Sequence, residues 1–243
     1  MKHACIALAL APWALALDAD QGAKNEATAA QEVLQRYLAA SNEPSRQLRD
    51  VEMNVEIEAY LPKLNRKGKL SALRGIGKLG QITYKAITFQ GDDSIKRDVI
   101  ARYMQTEVEA SKKPGLAIEP ANYKFRYADH HVNGDWELYL FELTPKEKKA
   151  GLFQGWIWIE AKSALPVREE GEFVKSPSVF LRRISFTRDY LVQDGVAVPS
   201  TIRSTVETRI VGKAEIQVRY TNLHTTRPQT ASSLQLRPDP FTK

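Results

Sequence analysis

Cysteine is nearly missing from this 243-residue chain: Cys5 is the only one, and it lies among the first apolar residues. That excludes a disulfide framework, thiolate metal centres and cysteine nucleophiles from the body of the protein. Long apolar runs are missing too. Beyond residue 16 nothing approaches the roughly 20 apolar residues of a membrane span.

The motifs of chemistry are equally sparse. Gly75, Gly77 and Gly80 match a dinucleotide fingerprint by letters, but they lie between strand-like stretches and open no helix. Ser176-Pro177-Ser178 lacks the glycines of a nucleophile elbow. His130-His131 follow Asp129. On a strand only Asp129 and His131 share a face, too few donors for a metal, so this reads as a polar approach to the Asn133-Gly134 turn. Glu170 and Glu172 share a face beside Glu169, with no partner in sequence to shift their titration, and read as solvated strand carboxylates. No catalytic residue, metal site or cofactor is expected.

What is present begins at the N-terminus. Lys2 and His3 precede an apolar stretch from Ala4 to Ala16, and Ala14-Leu15-Ala16 has the small, any, small pattern of a cleavage site. Residues 1–16 therefore read as a secretory signal peptide, and 17–25 as a flexible leader. The net charge is +6 and the pI about 9.3. Basic residues gather at Lys63, Arg66, Lys67, Lys69, Arg74 and Lys78, and again at Lys146, Lys148 and Lys149, beside turns. This balance suits anionic lipid head groups or solubility. Export and the lack of a binding motif argue against nucleic acid.

Periodicity then sets the class. Ala30, Val33, Leu34, Tyr37, Leu38 and Ser41 fall at helical spacing after a Thr28/Gln31 capping box. From Leu48 to Leu61 the period becomes two, with Val51, Met53, Val55, Ile57, Ala59 and Leu61 on one side. A second helix is expected from Asp93 to Thr106. Asn133-Gly134 predicts a hairpin, and the run from Gly151 to Leu223 alternates strand stretches with turn signals, an antiparallel meander. Two strands are apolar on both faces. Trp136, Leu138 and Leu140 oppose Tyr139, Phe141 and Leu143, and Trp156 and Trp158 oppose Ile157 and Ile159. Such strands need cover on both sides, and the helix from Asp93 is the candidate. About ten strands and two helices give a mainly β domain over 26–224, a highly curved antiparallel sheet, with 225–243 a loose tail. A sheet this wide either fills its hollow with its own side chains or keeps room for a ligand. The candidate apolar lining is Met53, Val55, Ile57, Tyr84, Trp136, Leu138, Trp156, Trp158 and Phe186, with Arg168 near a head group.

The order of these elements resembles a known family. The helix AAQEVLQRYLAAS, the alternating strand LRDVEMNVEIEAYL and the stretch GWIWIEAKSALPVREE with Leu165-Pro166-Val167-Arg168 are similar to the periplasmic outer-membrane lipoprotein-sorting proteins, LolA-like, with their LolB and RseB-type relatives. The turn Glu160-Ala161-Lys162-Ser163-Ala164 departs from that family's acidic, glycine-containing one, and the helix from Asp93 looks like an insertion. The resemblance implies an unclosed β-barrel whose open concave side is covered by helices. It also implies a periplasmic home, with secretion as second choice, and a non-enzymatic carrier of lipid or lipoprotein acyl chains that meets a membrane-associated donor or acceptor. The rival reading is a protein-interaction or sensor module with a filled core.

Overall fold

A computed structural model of the chain describes residues 14–42, 48–112, 115–176, 181–193, 195–209 and 212–225. The first part of the expected signal peptide (1–13), Ile210 and the tail beyond 225 lie outside them. Helix α1 spans Ala14–Ser41 and is followed by strands β1 (Val51–Leu61), β2 (Arg66–Ile76) and β3 (Ile82–Gly91). A second helix, α2, runs through Asp93–Ile95, a π-helical turn over Lys96–Ile100, and Ala101–Ser111. Seven further strands follow among the described residues: β4 (Tyr123–Asn133), β5 (Trp136–Pro145), β6 (Phe153–Glu160), β7 (Pro166–Phe173), β8 (Leu181–Gln193), β9 (Val196–Thr208) and β10 (Lys213–Thr225).

All ten strands form one antiparallel sheet in the order β3-β2-β1-β10-β9-β8-β7-β6-β5-β4. β1 pairs with β10, Val55 opposite Tyr220 and Ile57 opposite Val218, so the meander folds back onto the first strand. β3 and β4 do not pair with each other, and the sheet is unclosed. Each of these edge strands carries a register shift, at Ser71/Leu73 opposite β3 and at Tyr127/Asp129 in β4. Bulges of this kind twist an edge away from unwanted pairing.

The helices divide the buried face into two clusters. One gathers Met53, Val55 and Ile57 of β1, Leu70 of β2 and Val218 of β10 beneath Ile95 and Ile100 of α2. The other gathers Tyr139, Phe141 and Leu143 of β5 with Ile157 and Ile159 of β6 beneath Ala30, Val33, Leu34 and Tyr37 of α1. The doubly apolar strands β5 and β6 are thus covered by α1, not by the helix from Asp93, which lies over β1, β2 and β10. α2 lies between β3 and β4 and is the segment that carries the chain from one sheet edge to the other. Asp92 caps it, its Oδ1 accepting from Ser94 N at 2.8 Å. Ile95 and Ile100 are both fully buried although five residues apart. The wider π turn sets residues at that spacing on one side.

α1 starts earlier than its expected cap. Residues 17–25 lie within the helix, and Thr28 stands in its interior.

Candidate functional site

Of the expected lining residues, Met53, Val55, Ile57, Tyr84 and Phe186 lie on the face of the sheet that the helices cover. Alternation along β1 delivers Met53, Val55 and Ile57 to that face, each at most 2% exposed. Tyr84 of β3 and Tyr103 and Met104 of α2 pack against the same cluster. A filled apolar hollow under one helix is the result.

Two polar groups are set into it. In the first, Arg74 of β2 donates to Glu107 of α2, Nη2 to Oε1 at 2.7 Å, and the Tyr84 hydroxyl donates to Glu107 Oε2. The guanidinium also lies 5.4 Å from the Tyr220 ring centroid. Burial by itself would lower the Arg74 pKa, but Glu107 together with Tyr220 and Tyr84 raises it above the ordinary value and keeps the group charged. Tyr103 shares a hydrogen bond with Tyr220, whose pKa burial and then Glu107 push up to about 12.

In the second, Arg188 of β8 pairs with Glu169 of β7 at 2.9 Å, and the Tyr190 hydroxyl donates to Glu169 Oε1 at 2.9 Å. Burial, followed by the Glu169 charge, also raises the pKa of Tyr37 on α1. The two helices therefore look onto a seam of tyrosines and Arg–Glu pairs between the apolar clusters. Glu169 is 4% exposed. Sequence reasoning passed it over as one of three solvated carboxylates. Its place two residues after the inward Val167 was the signal available.

The other expected lining residues are distributed differently. Phe186 joins the cluster under α1, stacking edge-on against Phe153 at 4.9 Å. Trp156 and Trp158 alternate with the fully buried Ile157 and Ile159, so they take the face turned away from α1, and Trp156 is 42% exposed. Trp136 and Leu138 alternate in the same way with Tyr139 and Phe141, and Leu138 is buried on that opposite side. Arg168 pairs with Asp189 at 2.6 Å, and Arg203 reaches the same carboxylate at 3.1 Å. The structure brings Met53, Val55, Ile57 and Tyr84 together and keeps the tryptophans and Arg168 apart from them.

Among the open depressions of the described residues, two bear on these side chains. One of about 1220 Å³ crosses from β3 to β8 and mixes polar side chains such as Glu58, Lys69 and Gln217 with Phe186 and Ile216. The other, about 380 Å³, holds Trp156 between Glu142 and Glu172. His131 meets Asp129 at 3.2 Å, as their shared face allows. His130 was not foreseen: its ring stacks on Tyr139 at 4.5 Å, with its nitrogens 3.5 and 3.2 Å from Glu26 and Glu137. Those carboxylates sit on opposite sides of the imidazole and cannot converge on one cation. Among the described residues no group of three or more His, Cys, Asp or Glu side chains is placed to hold a metal ion. Nor is any described helix long and apolar enough to cross a membrane.

No family profile and no curated protein matches the chain. Solved structures do. A LolA superfamily protein from Nitrosomonas europaea is 14% identical, with 83% of this chain and 94% of that one covered and a TM-score of 0.39. A DUF1329 family protein from Desulfovibrio piger is 14% identical over 84% and 94%, with a TM-score of 0.42. A chain of the MucA/MucB complex of Pseudomonas aeruginosa is 9% identical over 83% and 99%, with a TM-score of 0.24. No ligand or partner of this chain follows from these likenesses.

Proposed function

We propose that the protein is an exported, periplasmic, non-enzymatic binding protein that shelters a lipid, or the acyl chains of a lipidated protein, on the inner face of its open sheet. The observation that carries this reading is the way α2 closes the hollow. It joins the two unpaired edges and covers a cluster of fully buried residues from β1, β2 and β10 with one apolar side, Ile95, Val99, Ile100, Tyr103 and Met104. In this state the helix's own side chains fill the space that an acyl chain would take. Swinging α2 outward would bare Met53, Val55, Ile57 and Tyr84. Each methylene that replaced it would contribute about 0.8 kcal/mol, set against the contacts of α2 that are lost.

The test is native mass spectrometry of the exported protein, followed by organic extraction and lipid analysis. A lipid adduct, gained more readily by Glu107→Gln, supports the reading. An apo mass together with failure to take up phospholipid or a lipopeptide overturns it.

One observation favours the rival, a protein-interaction module. β3 is an edge strand, and Ile87 on it is 51% exposed. A partner strand added along β3 would use its free backbone groups and leave the hollow filled. Protection of β3 amides from exchange by a partner, without lipid, would favour this second reading.

A further inference from the structure

Strand order sets four connections at one end of the sheet. A line of cross-strand partners from Ala59 through Ile216, Ser204 and Phe186 to Gly155 runs close beside the β1–β2, β9–β10, β7–β8 and β5–β6 turns. Neighbouring turns touch along this rim. The Lys63 side chain packs 3.5 Å from the position a Cβ on Gly212 would take, and Val174 N donates to Leu152 O at 3.0 Å.

Part of the first basic group of the sequence and the whole of the second therefore stand on one rim, while Arg74 is buried and Lys78 lies at the other end. Lys63, Arg66 and Lys67 stand at the β1–β2 turn, and Lys146, Lys148 and Lys149 at β5–β6, all exposed. Between them come Lys175, Arg209 and Lys213. Some are neutralised locally: Arg66 lies 3.5 Å from Asp92, and Lys213 lies 2.8 Å from Glu215. Lys63, Lys67, Lys146 and Lys148 have no carboxylate partner among the described residues. At the opposite end the β4–β5 turn is flanked by Asp129, Asp135 and Glu137, with Lys78 and Lys162 on other turns there.

We propose that this rim docks onto an anionic lipid bilayer. Lysine-rich charge spread over separate turns, with Lys67 alone of these lysines lining the open depression, matches the diffuse negative potential of a lipid surface better than the single line of charge of a polyanion strand. A second feature points the same way. Leu64, at the tip of the β1–β2 turn between Lys63 and Arg66, is 43% exposed, and Tyr60 is 36% exposed nearby. An apolar tip and a tyrosine among lysines suit the boundary between head groups and acyl chains. The inference stands apart from the carrier reading, since the rim would dock whether or not the hollow takes up lipid.

The test is flotation of the exported protein with vesicles of equimolar phosphatidylglycerol and phosphatidylcholine, against vesicles of phosphatidylcholine alone. Binding is expected to the anionic vesicles, at low salt, and to fall as salt rises. The variants Lys63→Gln/Arg66→Gln/Lys67→Gln and Lys146→Gln/Lys148→Gln/Lys149→Gln, checked for folding by circular dichroism, should each weaken partitioning by ~10-fold or more. Lys78→Gln/Lys162→Gln at the other end should leave it unchanged. The proposal is overturned by a lack of binding to anionic vesicles at low salt, or by an equal loss in that control. Binding to soluble polyphosphate with anionic vesicles ignored also overturns it, in favour of a soluble polyanion.

Discussion

Arg74 on β2 donates to Glu107 on α2 at 2.7 Å, with the arginine side chain 8% and the glutamate 20% exposed. This pair fastens the covering helix to the sheet, and Tyr84 adds a bond to the same carboxylate. Removing one partner of a largely buried pair strands the other charge. Arg74→Ala should therefore lose about 3 kcal/mol of stability, read as a urea midpoint shift. Glu107→Gln keeps the shape but removes the charge, and should speed hydrogen exchange over 93–111 while leaving β5 and β6 protected. Equal acceleration throughout would mean that α2 opens only when the whole domain unfolds.

Alkaline pH should weaken the fold through its tyrosines. Burial, the first cause in each case, raises the pKa of Tyr37, Tyr84, Tyr103, Tyr190 and Tyr220 above the ordinary 10.0. A raised folded pKa contributes stability that is whole below the unfolded value and is lost as pH rises toward the folded one. Stability should hold up to about pH 10 and fall above it as the unfolded chain ionises first. Urea midpoints at about pH 9 and pH 11 check the sign, and Tyr190→Phe should reduce the slope.

The faces of β1 and β6 can be told apart by truncation. Ile57 is fully buried and Trp156 is 42% exposed. Ile57→Ala should cost roughly 3 kcal/mol, within the range for buried aliphatic truncations, whereas Trp156→Ala should cost under about 1 kcal/mol. Chemical denaturation of the two variants decides it. The reverse order would put the tryptophans on the covered face.

The β1 pattern was fully legible because one of its faces is wet: Glu52, Asn54, Glu56 and Glu58 leave one choice for Met53, Val55 and Ile57. β6 offers no such contrast. Trp156 and Ile157 are both apolar, so periodicity finds the strand and cannot say which side a helix will cover. The sorting depends on α1, a tertiary partner about 120 residues upstream. The same limit hid Glu169 and Arg188. Buried charges look like surface charges in sequence until packing supplies each with the other. The start of α1 was misjudged for a local reason: Thr28 and Gln31 satisfy a capping pattern that a helix running on from Ala14 leaves unused.

Gly155 and Gly171 face each other across β6 and β7. A Cβ on Gly155 would lie 2.0 Å from the Glu170 carbonyl oxygen and 2.5 Å from Gly171 Cα, both backbone atoms held by the ladder. A flexible side chain could move aside; a paired strand cannot without breaking hydrogen bonds on both of its edges. Gly155→Ala should therefore cost more than about 3 kcal/mol, beyond the usual range for overpacking. Gly134 makes the contrast. A Cβ there meets nothing within 4 Å, and the only obstacle is its φ of +58°, so Gly134→Ala should cost about 1 kcal/mol. Unfolding of the two variants under the same conditions separates strand contact from backbone strain. A mild Gly155→Ala would show that β6 and β7 can part, and with them the sheet beneath α1.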